Sequence, residues 1–152
     1  MHLKGISKYL RMENWIQEAV TNWKSHKVKL NPPATVTDIE QVESLLNFKF
    51  PQDFKEFYLC INGFEGLDWQ EHMFTFWPLN MIISEFDEKE NGFIGFSDYS
   101  LKVNAIGFKI GEEGIFKIYP SLKGEKLEHV ASSFREIVYM INSNQGPIYW
   151  HG

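Results

Sequence analysis

Between Glu13 and His26 the apolar residues Trp15, Ile16, Ala19, Val20 and Trp23 recur at helical spacing, with Gln17, Glu18, Thr21, Asn22 and Lys24 between them. Residues three and four apart share a helix face, so this pattern predicts an amphipathic helix. Val28 and Leu30 lead into Asn31-Pro32-Pro33, where two prolines remove backbone donors and hold the preceding residue extended, which predicts a loop. A second helix follows, capped by Thr35 with Asp38 or by Thr37 with Glu40, and its buried stripe is predicted as Ile39, Val42, Leu45 and Leu46. Pro51 restarts the chain. Phe54, Phe57, Tyr58 and Ile61 then mark a third helix, predicted to stop at Asn62-Gly63.

Beyond Gly63 the period shortens. Met73 to Trp77 and Phe93 to Phe96 are short aromatic and aliphatic runs bounded by turn-forming residues, as strands are. Leu79 to Glu90 between them reads as a short helix or an irregular acidic connection. Ala105 to Ile110 and Ile115 to Tyr119 flank Gly111-Glu112-Glu113-Gly114, which predicts a β-hairpin with a four-residue link. A strand over Leu127 to Val130 comes next, and Ser133 with Glu136 caps a final helix carrying Phe134, Ile137, Val138 and Ile141. No repeat of fixed period and no low-complexity tract interrupts the series, so the 152 residues are predicted to form one domain, with residues 1–11 a flexible N-terminal segment.

Composition narrows the function more than the fold. With 43% hydrophobic and 16% aromatic residues the chain has material for a real core. Twenty acidic residues against fifteen basic ones give a net charge of −5, opposite to the electrostatic footprint of a nucleic-acid binder, so direct nucleic-acid binding is not expected. Cys60 is the only cysteine, which excludes an intramolecular disulfide and a cysteine-rich zinc cage, and its aliphatic neighbours predict burial. Neither a signal-peptide pattern nor a membrane-spanning apolar run is evident, so no membrane association is expected, and a reducing, cytoplasmic setting is.

Catalytic inventories fail early. The five histidines lack the spacing of a zinc hydrolase, Glu71-His72 is an isolated pairing of carboxylate and imidazole, and no glycine run matches a phosphate cradle. The expectation is therefore a non-enzyme with no catalytic or metal-binding residues and no cofactor.

The series Leu30-Asn31-Pro32-Pro33-Ala34-Thr35, Ile39, Glu43, Leu46, Phe50-Pro51, Phe54, Phe57 and Asn62-Gly63 resembles the N-terminal signature of the SUKH superfamily. Ile94-Gly95-Phe96-Ser97-Asp98-Tyr99 looks like its central strand, and Ala131-Ser132-Ser133-Phe134 resembles the start of its last helix. The similarity covers roughly residues 30 to 142. Asn47 stands where a Gly is common, and Phe64 follows Asn62-Gly63 where a second Gly is common. The resemblance implies an α+β fold, a single SUKH-like domain with a curved, mainly antiparallel sheet flanked by helices and no catalytic constellation. Many bacterial members are immunity proteins that bind and neutralise a cognate polymorphic toxin, often a nuclease, and the chain is similar to the YobK-type immunity proteins of Gram-positive bacteria. Fungal relatives coordinate cell-wall and signalling proteins. The alternative to toxin neutralisation is thus an intracellular scaffold or regulatory module with no toxin partner.

Charge placement suggests where a partner would sit. Residues 65 to 98 hold eight carboxylates against Lys89 alone, a net of −7, whereas the rest of the chain carries +2. On charge alone this could be an ordinary solvated acidic region; together with the resemblance it reads as a surface that steers a cationic partner such as a nuclease domain. Aromatic anchors inside a polar rim are typical of tight interfaces. Trp69 and Tyr99 are expected on the surface, whereas Phe74, Phe76, Phe93 and Phe96 are expected in the core. The predicted contact set is Glu65, Asp68, Trp69, Glu71, Asp98 and Tyr99, with Glu112 and Glu113 of the hairpin, in a protein that is monomeric when free.

Overall fold

A computed structural model of the chain describes residues 13–88, 92–119 and 127–145. The predicted N-terminal segment, residues 1–11, lies outside them. Helix α1, Asn14–Ser25, buries Ile16, Ala19, Val20 and Trp23, the stripe read from the sequence. Helix α2, Val36–Leu46, is capped by Thr35, not Thr37: Asp38 N donates to Thr35 Oγ1 at 3.0 Å, and Thr35 N donates to the Asp38 carboxylate at 2.9 Å. Its buried stripe is Ile39, Val42, Glu43 and Leu46, while Leu45 is exposed, correcting the expectation for that residue. The turn of the helix brings Glu43 inward instead, where its carboxylate accepts from Phe50 N at 2.8 Å and lies 3.5 Å from Lys55 Nζ. Asn47 ends α2 with φ 52°, a left-handed conformation that Asn tolerates, so the departure from Gly leaves the turn intact.

Helix α3, Gln52–Tyr58, is shorter than expected. Tyr58 O accepts from Ala34 N at 2.9 Å, and the chain leaves the helix four residues before Asn62. The Asn62-Gly63 pair has a different role from stopping a helix. Gly63, at φ 69°, lies against the Trp77–Pro78 peptide so closely that a Cβ would sit 2.5 Å from Trp77 C. Asn62 Oδ1 meanwhile accepts from Leu79 N at 2.9 Å and so caps helix α4, Leu79–Glu85. Asn31 Nδ2 donates to the Asn62 and Phe64 carbonyls. Phe64, the second departure, is fully buried.

Among the described residues, five strands form an open antiparallel sheet in chain order: β1, Phe74–Phe76; β2, Phe93–Tyr99; β3, Asn104–Lys109; β4, Glu112–Ile118; β5, Glu128–Ala131. Lys109 pairs with Glu112, so the β3–β4 turn is Ile110-Gly111, with Gly111 at φ 87°. The predicted four-residue link is therefore two residues long, and Glu112 and Glu113 belong to β4. Helix α5, Phe134–Ser143, starts at Ser133, whose Oγ accepts from Glu136 N at 3.1 Å.

Register assigns the two faces of the sheet. Phe74 pairs with Tyr99, Thr75 with Asp98 and Phe76 with Ser97. Directly paired residues share a face and successive residues alternate. Phe76 meets the Phe134 ring of α5, so Phe74, Phe76 and Tyr99 face the helices, and Phe96 reaches the same ring because a register shift between Gly95 and Ser97 interrupts the alternation there. Trp23 joins this aromatic core, and its Nε1 donates to Asn142 Oδ1 at 2.8 Å, tying α1 to α5. Thr75, Asp98, Ala105 and Ile118, which follow one another in register, lie on the opposite face. There the Trp77 ring lies over Gly95, where an added Cβ would sit 2.8 Å from it.

Candidate functional site

That second face carries exposed apolar and acidic side chains. Glu65–Leu67 forms a single 3₁₀ turn, after which Asp68, Trp69 and Glu71 lead to β1. Leu67 is 49% exposed, Trp69 41% and Leu101, in the β2–β3 turn, 74%. Leu67, Met73 and Leu101 have φ of 60°, 71° and 57°, a left-handed conformation unfavourable for bulky side chains. Strained residues of this kind persist where the surroundings impose them and cluster at functional sites. Here they present large apolar side chains to solvent, an arrangement that marks interaction surfaces.

Leu67, Trp69, Met81 and Leu101 wall a small cavity of about 120 Å³, with Thr75 and Asp98 also lining it and Lys102 at its side. Lys102 also borders a second cavity of about 230 Å³, lined by Trp77, Glu85, Asp87, Phe93 and Gly95. Leu67 and Met81 border a third, a broader cleft of about 690 Å³ that reaches Pro32, Pro33 and Asn62. The three adjoin through these shared residues.

The electrostatics combine an exposed acidic rim with one buried acid. Glu65 is exposed. The Asp68 carboxylate accepts from Lys29 N at 2.7 Å, and Glu71 lies between His26 Nε2 at 3.3 Å and His72 Nε2 at 3.7 Å. Glu85 pairs with Lys102 Nζ at 2.5 Å. Asp98, expected in the contact surface, is 4% exposed. One of its oxygens accepts from Trp77 Nε1 at 2.6 Å and the other from Lys102 N at 2.9 Å. Burial raises its pKa above the ordinary carboxylate value, against the opposing effect of those two hydrogen bonds and of the Lys102 charge. Register encloses it: Asp98 points to the same face as Thr75 and is covered by Trp77 and the β2–β3 turn.

Tyr99 is half-buried on the helical face with its ring against Phe74, so it stands apart from the cavity wall to which Trp69 belongs. Glu112 and Glu113 are exposed, but lie at the end of β3 opposite the β2–β3 turn, and Glu112 pairs with Lys109. Six residues of strand rise about 20 Å, so these two belong to a separate patch. The structure thus gathers Glu65, Asp68, Trp69 and Glu71 near one end of the sheet, with Asp98 beneath. Leu67, Thr75, Met81, Leu101 and Lys102 were not singled out from sequence. The only local signal for them is a pair of apolar residues, Leu101 and Val103, inside the short β2–β3 turn.

Cys60 follows the end of α3 and is half-buried; burial, and then the nearby Glu56 charge, raise its thiol pKa and so lower its reactive thiolate fraction. Among the described residues no group of three or more His, Cys, Asp or Glu side chains could hold a metal ion. Nor, among them, is any helix long and apolar enough to cross a membrane.

No curated protein matches the chain. A match to a described family covers residues 33–140, which contain α2 to α4, the whole sheet and most of α5. It does not single out the YobK-type subgroup. It includes the Thr35 cap, the Asn62-Gly63 clamp, the strained β2–β3 turn and all of the cavity's walls, and on this extent the chain belongs to the SMI1/KNR4 family (SUKH-1).

Proposed function

We propose that this protein is an immunity-type binding protein that neutralises a cognate polymorphic toxin by stoichiometric occlusion. The family includes immunity proteins, and its members are not typically enzymes. The observation that carries the reading is the exposed apolar trio Leu67, Trp69 and Leu101 set among carboxylates of residues 65–88. An apolar centre within a charged rim provides desolvated anchor contacts and long-range steering at once. The sign of the rim suits a cationic partner, and a nuclease must carry a positive groove to hold phosphates. Covering that groove needs no chemistry from the inhibitor, only complementary shape and charge.

The proposed contact set is Leu67, Trp69 and Leu101 with Glu65, Asp68 and Glu71, acting as a cytoplasmic monomer in a one-to-one complex. Co-expression with the protein encoded next to this one tests the reading. The expected outcome is cell survival and co-purification at equal stoichiometry. Cell death despite expression of both proteins, with no complex recovered, would overturn it.

A further inference from the structure

The β2–β3 turn is held in an unfavourable conformation by a few polar bonds. Ser100, Leu101 and Lys102 are three successive left-handed residues, and none is glycine. Such a conformation disfavours bulky residues, so the turn relaxes unless its surroundings impose this shape. The Leu101 side chain imposes little, since it is largely exposed. Ser100 N donates to Met73 O at 2.9 Å, Val103 N to Tyr99 O at 2.9 Å and Lys102 N to the Asp98 carboxylate at 2.9 Å. Lys102 Nζ pairs with Glu85. The neighbour of Leu101 is thus tied twice, both times to a carboxylate.

Of these two acids only Asp98 is enclosed. Its other oxygen accepts from Trp77 Nε1 at 2.6 Å, and that indole is buried and seated on Gly95. Protonation turns two charge-assisted bonds into neutral ones, about half as strong, and puts an O–H donor where two N–H donors already point. Thr75 Oγ1, on the paired residue of β1, has no hydrogen-bond partner and so does not reach the carboxyl. The conflict is relieved at its weaker end, because Trp77 is locked in place whereas Lys102 is exposed on a strained turn. We propose that Asp98 is a pH-sensitive latch: its carboxylate, holding Lys102 N, keeps Leu101 beside Leu67 and Trp69, and its protonation frees the turn and disperses this apolar trio. The charges acting on Asp98 are Lys102 of the turn, which favours the carboxylate, and Glu85 of α4, which opposes it; the register partners Thr75 and Ala105 carry none. Burial is the largest influence and favours the protonated form, so release comes at a higher pH than the ordinary aspartate value near ~4. Partner binding is present above that pH and is lost as pH falls through it. This consequence rests on the protein-binding reading above, whereas the latch is a property of the free protein.

NMR of the full-length protein across a pH series tests the latch without a partner. The Lys102 amide should lose at least tenfold of its exchange protection, corrected for the intrinsic pH dependence of exchange, with a midpoint above ~4. Nuclear Overhauser contacts between the Leu101 methyls and the Trp69 indole, which wall one cavity, should fade over the same midpoint. The Trp77 amide, bonded to Phe96 O, should keep its protection and reports on global acid unfolding. Glu85→Gln should retain the transition and lower its midpoint, because the Glu85 charge raises the Asp98 value. Asp98→Asn should show no transition and an unprotected Lys102 amide throughout. Lys102 protection that survives acid, simultaneous loss at the Trp77 amide, disappearance of the transition in Glu85→Gln, or its persistence in Asp98→Asn would each overturn the latch. If Asp98→Asn does not fold, the wild-type and Glu85→Gln series decide alone. A transition in a protein that recovers no partner removes the immunity reading and leaves the latch; a stable complex with no transition in the free protein does the reverse.

Discussion

Asp98 shows how far a residue's role depends on which side of a strand it occupies. In the sequence it is one of eight acids in a row of surface candidates; in the fold it is enclosed, with its carboxylate held by Trp77 Nε1 and Lys102 N. Because burial raises its pKa, the folded protein keeps a proton on Asp98 to higher pH than the unfolded chain does. Between the ordinary aspartate value near ~4 and that raised value, the native state binds more protons, so this group's contribution to stability falls as pH rises through the window. The contribution is fully present below the unfolded value. The expected outcome is that the stability of wild type minus that of Asp98→Asn declines from pH 4 upward and then levels off. Urea unfolding across pH 3 to 8 measures it, and a difference that grows with pH would refute the assignment. The sequence could not show this, because β2 is buried on both faces and alternation there carries no sign of inside or outside.

At the scale of elements, most of the helical and strand pattern was legible, and its failures have local physical causes. The capping residues Thr35 and Ser133 are chemical signals readable one turn at a time, and both act as caps. Asn62-Gly63 was legible as a turn, but not as a clamp, because its partners Trp77 and Leu79 lie more than a dozen residues away. Gly63→Ala places a Cβ against the Trp77–Pro78 backbone at a positive φ, and should cost about 2 kcal/mol or more. Thermal or urea unfolding reads this directly. The β2–β3 turn should respond in the opposite sense. Ser100, Leu101 and Lys102 take φ of 49°, 57° and 69°, and Leu101 buries little in return. Leu101→Gly relieves a left-handed conformation worth ~1–2 kcal/mol, offset by glycine's greater unfolded-state freedom. Its stability should equal or exceed that of wild type, while dissociation from the partner accelerates. A clear loss of stability would mean that the turn is held by contacts of the Leu101 side chain.

On the scale of the whole molecule, the sequence located the acidic half but not its geometry. A count of charges along the chain treats Glu65 and Glu113 alike, whereas the topology sends them to opposite ends of the sheet, about 20 Å of strand apart. This separation makes steering testable as a property of place. Reversing charge at Asp68 or Glu71 confounds the result, because the first accepts from Lys29 N and the second joins His26 and His72. Glu65 is exposed and leaves those contacts untouched. Glu65→Lys should slow association with a cationic toxin domain by about threefold at low salt and flatten its dependence on ionic strength, with little change in dissociation. Glu113→Lys, the same change of charge at the far end, should have a much smaller effect. Stopped-flow association at several salt concentrations separates the cases. If the Glu113 variant slows binding as much as the Glu65 variant, the partner responds to net charge or docks at the hairpin end, and the apolar trio is not the centre of contact.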